Sequence, residues 1–251
     1  VKLRDQKEQS VLSTGIGMKF ENTCTVNCKK QFFKLTQRYK PMKTKLFNFA
    51  TLPFLGLMLW NCTDNLPHSV AVITANPQAT FYEKLADSAY TLTFQKVTYD
   101  AAYFKIPYPN GDVPADKGVC TDVVIRAYRK MGVDLQKEVH EDMKANFGLY
   151  PKIWGLSKPD RNIDHRRVPN LMKFFSRKGK ELAITDRSAD YKPGHIVCWN
   201  LGGSITHIGI VSNHQNKDKT RYMIVHNIGA GQVLEDCLFA FKIIGHYAYK
   251  N

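Results

Sequence analysis

Hydrophobic positions along the chain alternate between two rhythms. Val123, Val124, Ala127, Tyr128 and Met131 recur at steps of three and four, which predicts a helix with one buried face across the stretch from Gly118 to Gly132. Gly132 stands where a helix end is usually closed by a residue of positive φ. Phe81, Leu85, Ala89 and Leu92 predict an earlier helix from Thr80 to about Gln95, with Thr80 and Glu83 in capping-box order. Further helices are expected over Leu135 to Asn146 and Val168 to Arg177, the latter turning Leu171, Phe174 and Phe175 inward. The last third changes rhythm. Ile196–Trp199, Ile208–Val211, Tyr222–His226 and Ile243–Tyr249 are short β-rich runs separated by turn residues, the pattern of an antiparallel meander. Helices first and strands later read as α+β.

The N-terminal quarter follows neither rhythm. Residues 1–41 are polar and basic without sustained period, and they read as a non-structural upstream extension. Cys24 and Cys28 lack a second ligand pair nearby, so a zinc site is not expected there. Lys43 and Lys45 then precede a mostly apolar run, Leu46 to Trp60, closed by Cys62. That is the layout of an export signal, too short for a comfortable transmembrane helix. A cysteine after such a run resembles the lipid-modified cysteine of bacterial lipoproteins, although Leu59-Trp60-Asn61 departs from the usual small residues. The expected organisation is an extension over 1–41, a signal over 42–62 with translation starting at Met42, a linker over 63–79 and one domain over 80–251. Localisation follows as exported: periplasmic or outer-membrane-anchored through Cys62, or secreted.

Candidate chemistry centres on Cys120. It falls in the first turn of its predicted helix, where unpaired N–H groups and the helix dipole favour an anion, and the thiolate is the nucleophilic form. The alternative is a small buried hydrophobe. His207 opens one predicted strand and His226 ends the next. If those strands are antiparallel neighbours, the two histidines meet at one edge of the sheet. Cys120 would then attack a carbonyl, His207 would carry the proton, and His226 would orient His207. The Cys120 N–H is the natural oxyanion-hole donor.

The segments Gly118-Val119-Cys120-Thr121-Asp122, Pro193-Gly194-His195-Ile196-Val197, Thr206-His207-Ile208-Gly209-Ile210-Val211 and Val225-His226-Asn227 resemble the NlpC-like, papain-fold cell-wall cysteine peptidases. More closely, the stretch from about Tyr99 to Tyr249 is similar to a bacterial domain-of-unknown-function family, number 1287, within that superfamily. The resemblance implies a papain-like NlpC-type fold, with the nucleophile at a helix N-terminus packed on a small antiparallel sheet. It also implies hydrolysis of an amide in peptidoglycan, as a stem-peptide endopeptidase or a muramoyl-alanine amidase, with catalytic residues Cys120, His207 and His226. The family's usual Pro-Gly-Asp is Pro193-Gly194-His195 here.

Charge refines this picture. The net charge is +14, but residues 1–62 hold 11 Lys/Arg against 3 Asp/Glu, leaving 25 against 19 for the remainder. That moderately basic body suits an anionic polymer such as peptidoglycan, and no aromatic-basic motif makes nucleic acid a partner. Asp112, Asp122, Asp164, His165, Arg166, Arg167 and Asn227 are second-tier candidates for substrate binding. The dense polar run Asp160–Arg167 is either a solvated loop or a substrate contact, since Arg forks suit carboxylates. A metal site drawn from His195, His207, His214 and His226 lacks the expected ligand spacing, so no metal and no cofactor are expected. Cys198 and Cys237 read as core, His246 as a capped or core histidine, and His140 as exposed. Two rivals share the constellation: an acyltransferase of transglutaminase type, and a non-catalytic wall-binding lipoprotein. The pattern leaves the oligomeric state open.

Overall fold

The computed structural model describes residues 79–250. The readings of 1–41, of the signal and Cys62, and of the linker up to residue 78 lie outside the described residues. Among those described, no helix is long and apolar enough to cross a membrane.

The first helix among the described residues, α1 (Phe81–Leu92), starts as its sequence dictates. Thr80 Oγ1 accepts from Glu83 N–H at 3.3 Å, and Glu83 Oε2 accepts from Thr80 N–H at 2.7 Å. Two short strands, β1 (Thr98–Tyr99) and β2 (Lys117–Gly118), pair in parallel and lead into α2 (Cys120–Lys130). Next come α3 (Leu135–Asn146) and α4 (Val168–Lys178), separated by irregular chain with 3₁₀ turns at Phe147–Leu149 and Asp164–Arg166. The remaining strands are β3 (Lys180–Glu181), β4 (Ile196–Gly202), β5 (Ile205–Gln215), β6 (Tyr222–His226), β7 (Val233–Glu235) and β8 (Lys242–Ala248). They form one antiparallel sheet in the order β3-β8-β4-β5-β6-β7. The architecture is α+β with two sheets.

Helix α2 differs from the expected single buried face. Every residue from Cys120 to Tyr128 is buried, because α1, α3 and strands β5 and β6 all pack against it. Its charged residues are tolerable there because each meets an opposite charge. Asp122 receives the Arg166 guanidinium, and Arg126 Nε donates to Asp112 at 3.0 Å. Gly132 takes φ +79° and closes the helix, as its position predicts.

The two faces of the sheet carry separate cores. Ile196, Cys198, Ile208, Ile210 and Val225 face the helices, together with Cys120, Val124, Tyr128 and Phe175. Val197, Trp199, Val211 and Ile224 face the other way and pack with Tyr191, Cys237 and Leu238. This division is the period-2 alternation of strand side chains, and it fixes which face each functional side chain occupies. Gly209 lies where the sheet is tightest: a Cβ there would meet Ile224 Cγ2 at 2.7 Å and Val225 O at 3.0 Å.

Candidate functional site

The two histidines meet as expected. β5 and β6 are antiparallel neighbours, and His207 Nε2 lies 2.8 Å from His226 Nδ1. Both rings are buried, at 4% and 1% exposure. Beyond them, His226 Nε2 lies 2.9 Å from Glu235 Oε2 on β7. This chain assigns the tautomers. With both imidazoles neutral, a carboxylate that only accepts puts the His226 proton on Nε2 and leaves its Nδ1 lone pair for His207. His207 therefore donates from Nε2, and its Nδ1 keeps the lone pair. Burial pushes His207 down to about 3, which keeps the imidazole neutral near pH 7.

Cys120 is the first residue of α2 and is buried among the helix-side core. Asp122 holds this helix start in place, its Oδ2 accepting from Val119 N–H at 2.7 Å. The backbone N–H groups of Ile208, Thr121 and Cys120 lie near enough to the sulfur to oppose part of the effect of its burial. The Ile208 contact reveals the local arrangement. Pairing between β5 and β6 begins at Ile210 and Val225, so Ile208 lies beyond that ladder and its N–H is available to the thiol. Cys120 and Ile208, the residue after His207, share the helix-side core.

The thiol and the imidazoles still approach from different sides. His207 pairs with Trp199 in register, their rings 5.8 Å apart, on the face away from the helices. Among the described residues, no hydrogen bond joins Cys120 to His207. The expected stabilised thiolate is also not the resting form. Burial pushes the Cys120 thiol up to about 12, against the smaller opposing effect of the three N–H donors.

Cys120 opens into a cleft of about 230 Å³ lined by Tyr99, Trp154, Arg166, Arg167 and Thr206, among others. Arg166 and Arg167 are thus beside the nucleophile candidate, but both are engaged. Arg166 forks onto Asp122 at 2.9 and 3.0 Å and donates to Ala102 O at 3.0 Å. Arg167 bonds Asp164 at 3.1 Å and lies over the Trp154 ring at 4.2 Å. The run Asp160–Arg167 is accordingly not a solvated loop at its end: Asp164, His165 and Arg166 are buried. Burial raises the Asp164 carboxyl to about 6 and lowers His165 to about 3.

The other candidates divide between scaffold and distance. Asn227 donates to Gly118 O at 3.2 Å, tying the end of β6 to the segment before Cys120. Asp112 lies in another cleft, bridging Arg126 and Arg129. Cys198 is core, with no exposure. His195 and His246 pair with one another at 2.9 Å, and His214 packs on Tyr90, so the four-histidine metal set is not assembled. His140 is half-buried against Tyr108 rather than exposed. A larger cavity of about 850 Å³ lies along α3, away from Cys120.

Sequence reasoning missed Glu235 and Tyr99; Cys237 is packed in the core as expected, and its Sγ lies 3.6 Å from His226 Nε2. The signal for Glu235 was present but faint. The short run Val233-Leu234-Glu235 follows the turn Gly229-Ala230-Gly231, and a third strand there must place its residues beside β6.

Fold and site together define an α+β domain with a buried imidazole pair on one face of its larger sheet and a helix-N-terminal cysteine on the other. The chain belongs to the family described as "Domain of unknown function (DUF1287)", whose sequence profile matches residues 86–249. It is similar to "Uncharacterized protein YijF" of Escherichia coli (strain K12), at 48% identity over 205 residues, covering 80% of this chain and 98% of that protein. No solved structure matches the chain.

Proposed function

We propose that the protein is an exported cysteine hydrolase that cleaves an amide bond in peptidoglycan, on a papain-like NlpC-type fold. The observation that carries this reading is the chain His207–His226–Glu235, which offers His207 Nδ1 as the base, with the next residue, Ile208, packed in the same core as Cys120. In the proposed reaction His207 Nδ1 takes the Cys120 proton as sulfur attacks the carbonyl. The Cys120 N–H, at the start of α2, faces the developing oxyanion. His207 then returns the proton to the leaving amine, and water releases the acyl group by the same route in reverse. His226 and Glu235 hold the tautomer throughout and stabilise the imidazolium when it forms. The thiol and His207 lie on opposite faces of β5, so the proposed transfer requires the start of β5 to rearrange when substrate binds beside Tyr99 and Trp154.

Export through the segment 42–62, with a lipid anchor at Cys62, would bring the domain to that substrate outside the cytoplasm. The test is to incubate the full chain and its Cys120→Ala variant with purified peptidoglycan and follow released fragments by mass spectrometry. Fragments that depend on Cys120 support the reading, and their masses name the bond. A second reading, a wall-binding module, is favoured by the neutral buried thiol. It predicts retention on peptidoglycan without release.

A further inference from the structure

His226, Glu235 and Cys237 converge on one point from β6, β7 and the turn after it. Their ligand atoms lie within 4.8 Å of one another. His226 Nε2 is 2.9 Å from Glu235 Oε2 and 3.6 Å from Cys237 Sγ. Two ligands at ordinary Zn–N and Zn–S bond lengths, held at a tetrahedral angle, sit about 3.5 Å apart. The nitrogen–sulfur pair already has that spacing, and the nitrogen–oxygen pair needs to open by about 0.5 Å. Imidazole, thiolate and carboxylate together suit a zinc-class cation better than a hard one. The Glu235 side chain is 32% exposed, so the point is reachable from solvent. Cys237 takes no part in the proposed proton transfer.

We infer that His226, Glu235 and Cys237 form a three-ligand site for a zinc-class divalent cation, and that its occupancy switches off the histidine chain. The site itself stands on this geometry; its effect on turnover rests on the proposed hydrolase reading. When the ion takes the His226 Nε2 lone pair, it replaces the proton that Nε2 shared with Glu235. That ring then carries its proton on Nδ1 and donates it to His207 Nε2. His207 in turn holds its own proton on Nδ1, the atom that must accept from Cys120. Each imidazole keeps one proton, and Cys237 releases its thiol proton to solvent on binding. The base becomes the wrong tautomer although no catalytic group touches the ion directly except His226.

Cobalt(II) titration of the full chain reads the site without reference to activity. The expected result is a sulfur-to-cobalt charge-transfer band that saturates and is lost in Cys237→Ser. A band of equal strength in Cys237→Ser would place the metal elsewhere, for instance at Cys24 and Cys28, and would overturn the inference. If Cys237→Ser fails to fold, X-ray absorption at the zinc edge of the unaltered protein decides instead. One sulfur at about 2.3 Å with nitrogen and oxygen near 2.0–2.2 Å is expected, and no sulfur or two sulfurs would refute it. With peptidoglycan as substrate, zinc should slow the parent at least about tenfold and leave Cys237→Ser unaffected, as a change of base tautomer requires. Equal zinc inhibition of both would overturn the switch. A metal-free parent with no turnover would sink the hydrolase reading, while the cobalt and absorption results would still judge the site.

Discussion

Asp122 joins the start of α2 to the buried turn at Asp164–Arg166, and removing it should cost more than an ordinary surface ion pair. The Asp122 and Arg166 side chains are 3% and 1% exposed, and the guanidinium forks onto both carboxylate oxygens. Asp122→Ala leaves a buried arginine with the carbonyls of Ala102 and Asp100 and the face of the Phe104 ring, but no hydrogen-bonded carboxylate. Breaking such a pair from one side costs about 3–5 kcal/mol. The variant also loses the Val119 N–H acceptor, worth about 1 kcal/mol as a helix-start contact. With a urea slope of about 2 kcal/mol per molar, the unfolding midpoint should fall by about 2–3 M. The assay is urea unfolding by far-UV circular dichroism, repeated for Arg166→Met and for the double variant. The double variant should be more stable than Asp122→Ala, since no buried charge is left alone. A midpoint shift below about 0.5 M, or a double variant weaker than either single one, would refute the reasoning.

Other expectations follow from the same geometry. Gly209→Ala drives a methyl against Ile224 and the Val225 carbonyl, and should destabilise by about 1–3 kcal/mol in the same urea assay. Glu235→Leu removes the acceptor that fixes the His226 tautomer. Turnover on peptidoglycan should drop at least about tenfold with little change in KM, and Glu235→Gln should restore most of it by accepting the same hydrogen bond. Stability should fall on acidification from pH 6.5 towards 4. His165 and His207 are held near 3 when folded, so the unfolded chain binds more protons in that window, at about 1.4 kcal/mol per pH unit for each as an upper bound. Asp164, raised to about 6, binds its proton more readily when folded and offsets part of the loss below pH 6. Unfolding midpoints measured from pH 4 to 7.5 check the slope, and His165→Gln should flatten it.

Much of this architecture is legible in the chain because its signals are local. The Thr80–Glu83 cap, the Leu135–Asn146 helix, the positive φ at Gly132 and the strand Tyr222–His226 each follow from a few neighbouring residues. The pairing of His207 with His226 was legible as well, since two strands joined by a short loop leave little choice of partner. Glu235 was not, because a three-residue strand carries almost no period of its own and gains its meaning only from lying beside β6. The burial of Asp164, His165 and Arg166 was hidden for another reason. A charged run looks solvated until the carboxylate that neutralises it, here Asp122 from 44 residues away, is known. The face on which each side chain falls was hidden too. Alternation along β5 puts Ile208 towards Cys120 and His207 away from it, and this follows from register against the helices rather than from composition.

In the proposed reaction Cys120 becomes the nucleophile when substrate enters its cleft. The most direct measurement is acid quenching of the full chain during reaction with peptidoglycan fragments, followed by peptide mapping by mass spectrometry. An acyl adduct on the peptide containing Cys120, accumulating when His207→Gln slows its release or reduced when that variant slows its formation, is the predicted result. Cys120 that stays unmodified while fragments are released, or release that continues in Cys120→Ala, would contradict it.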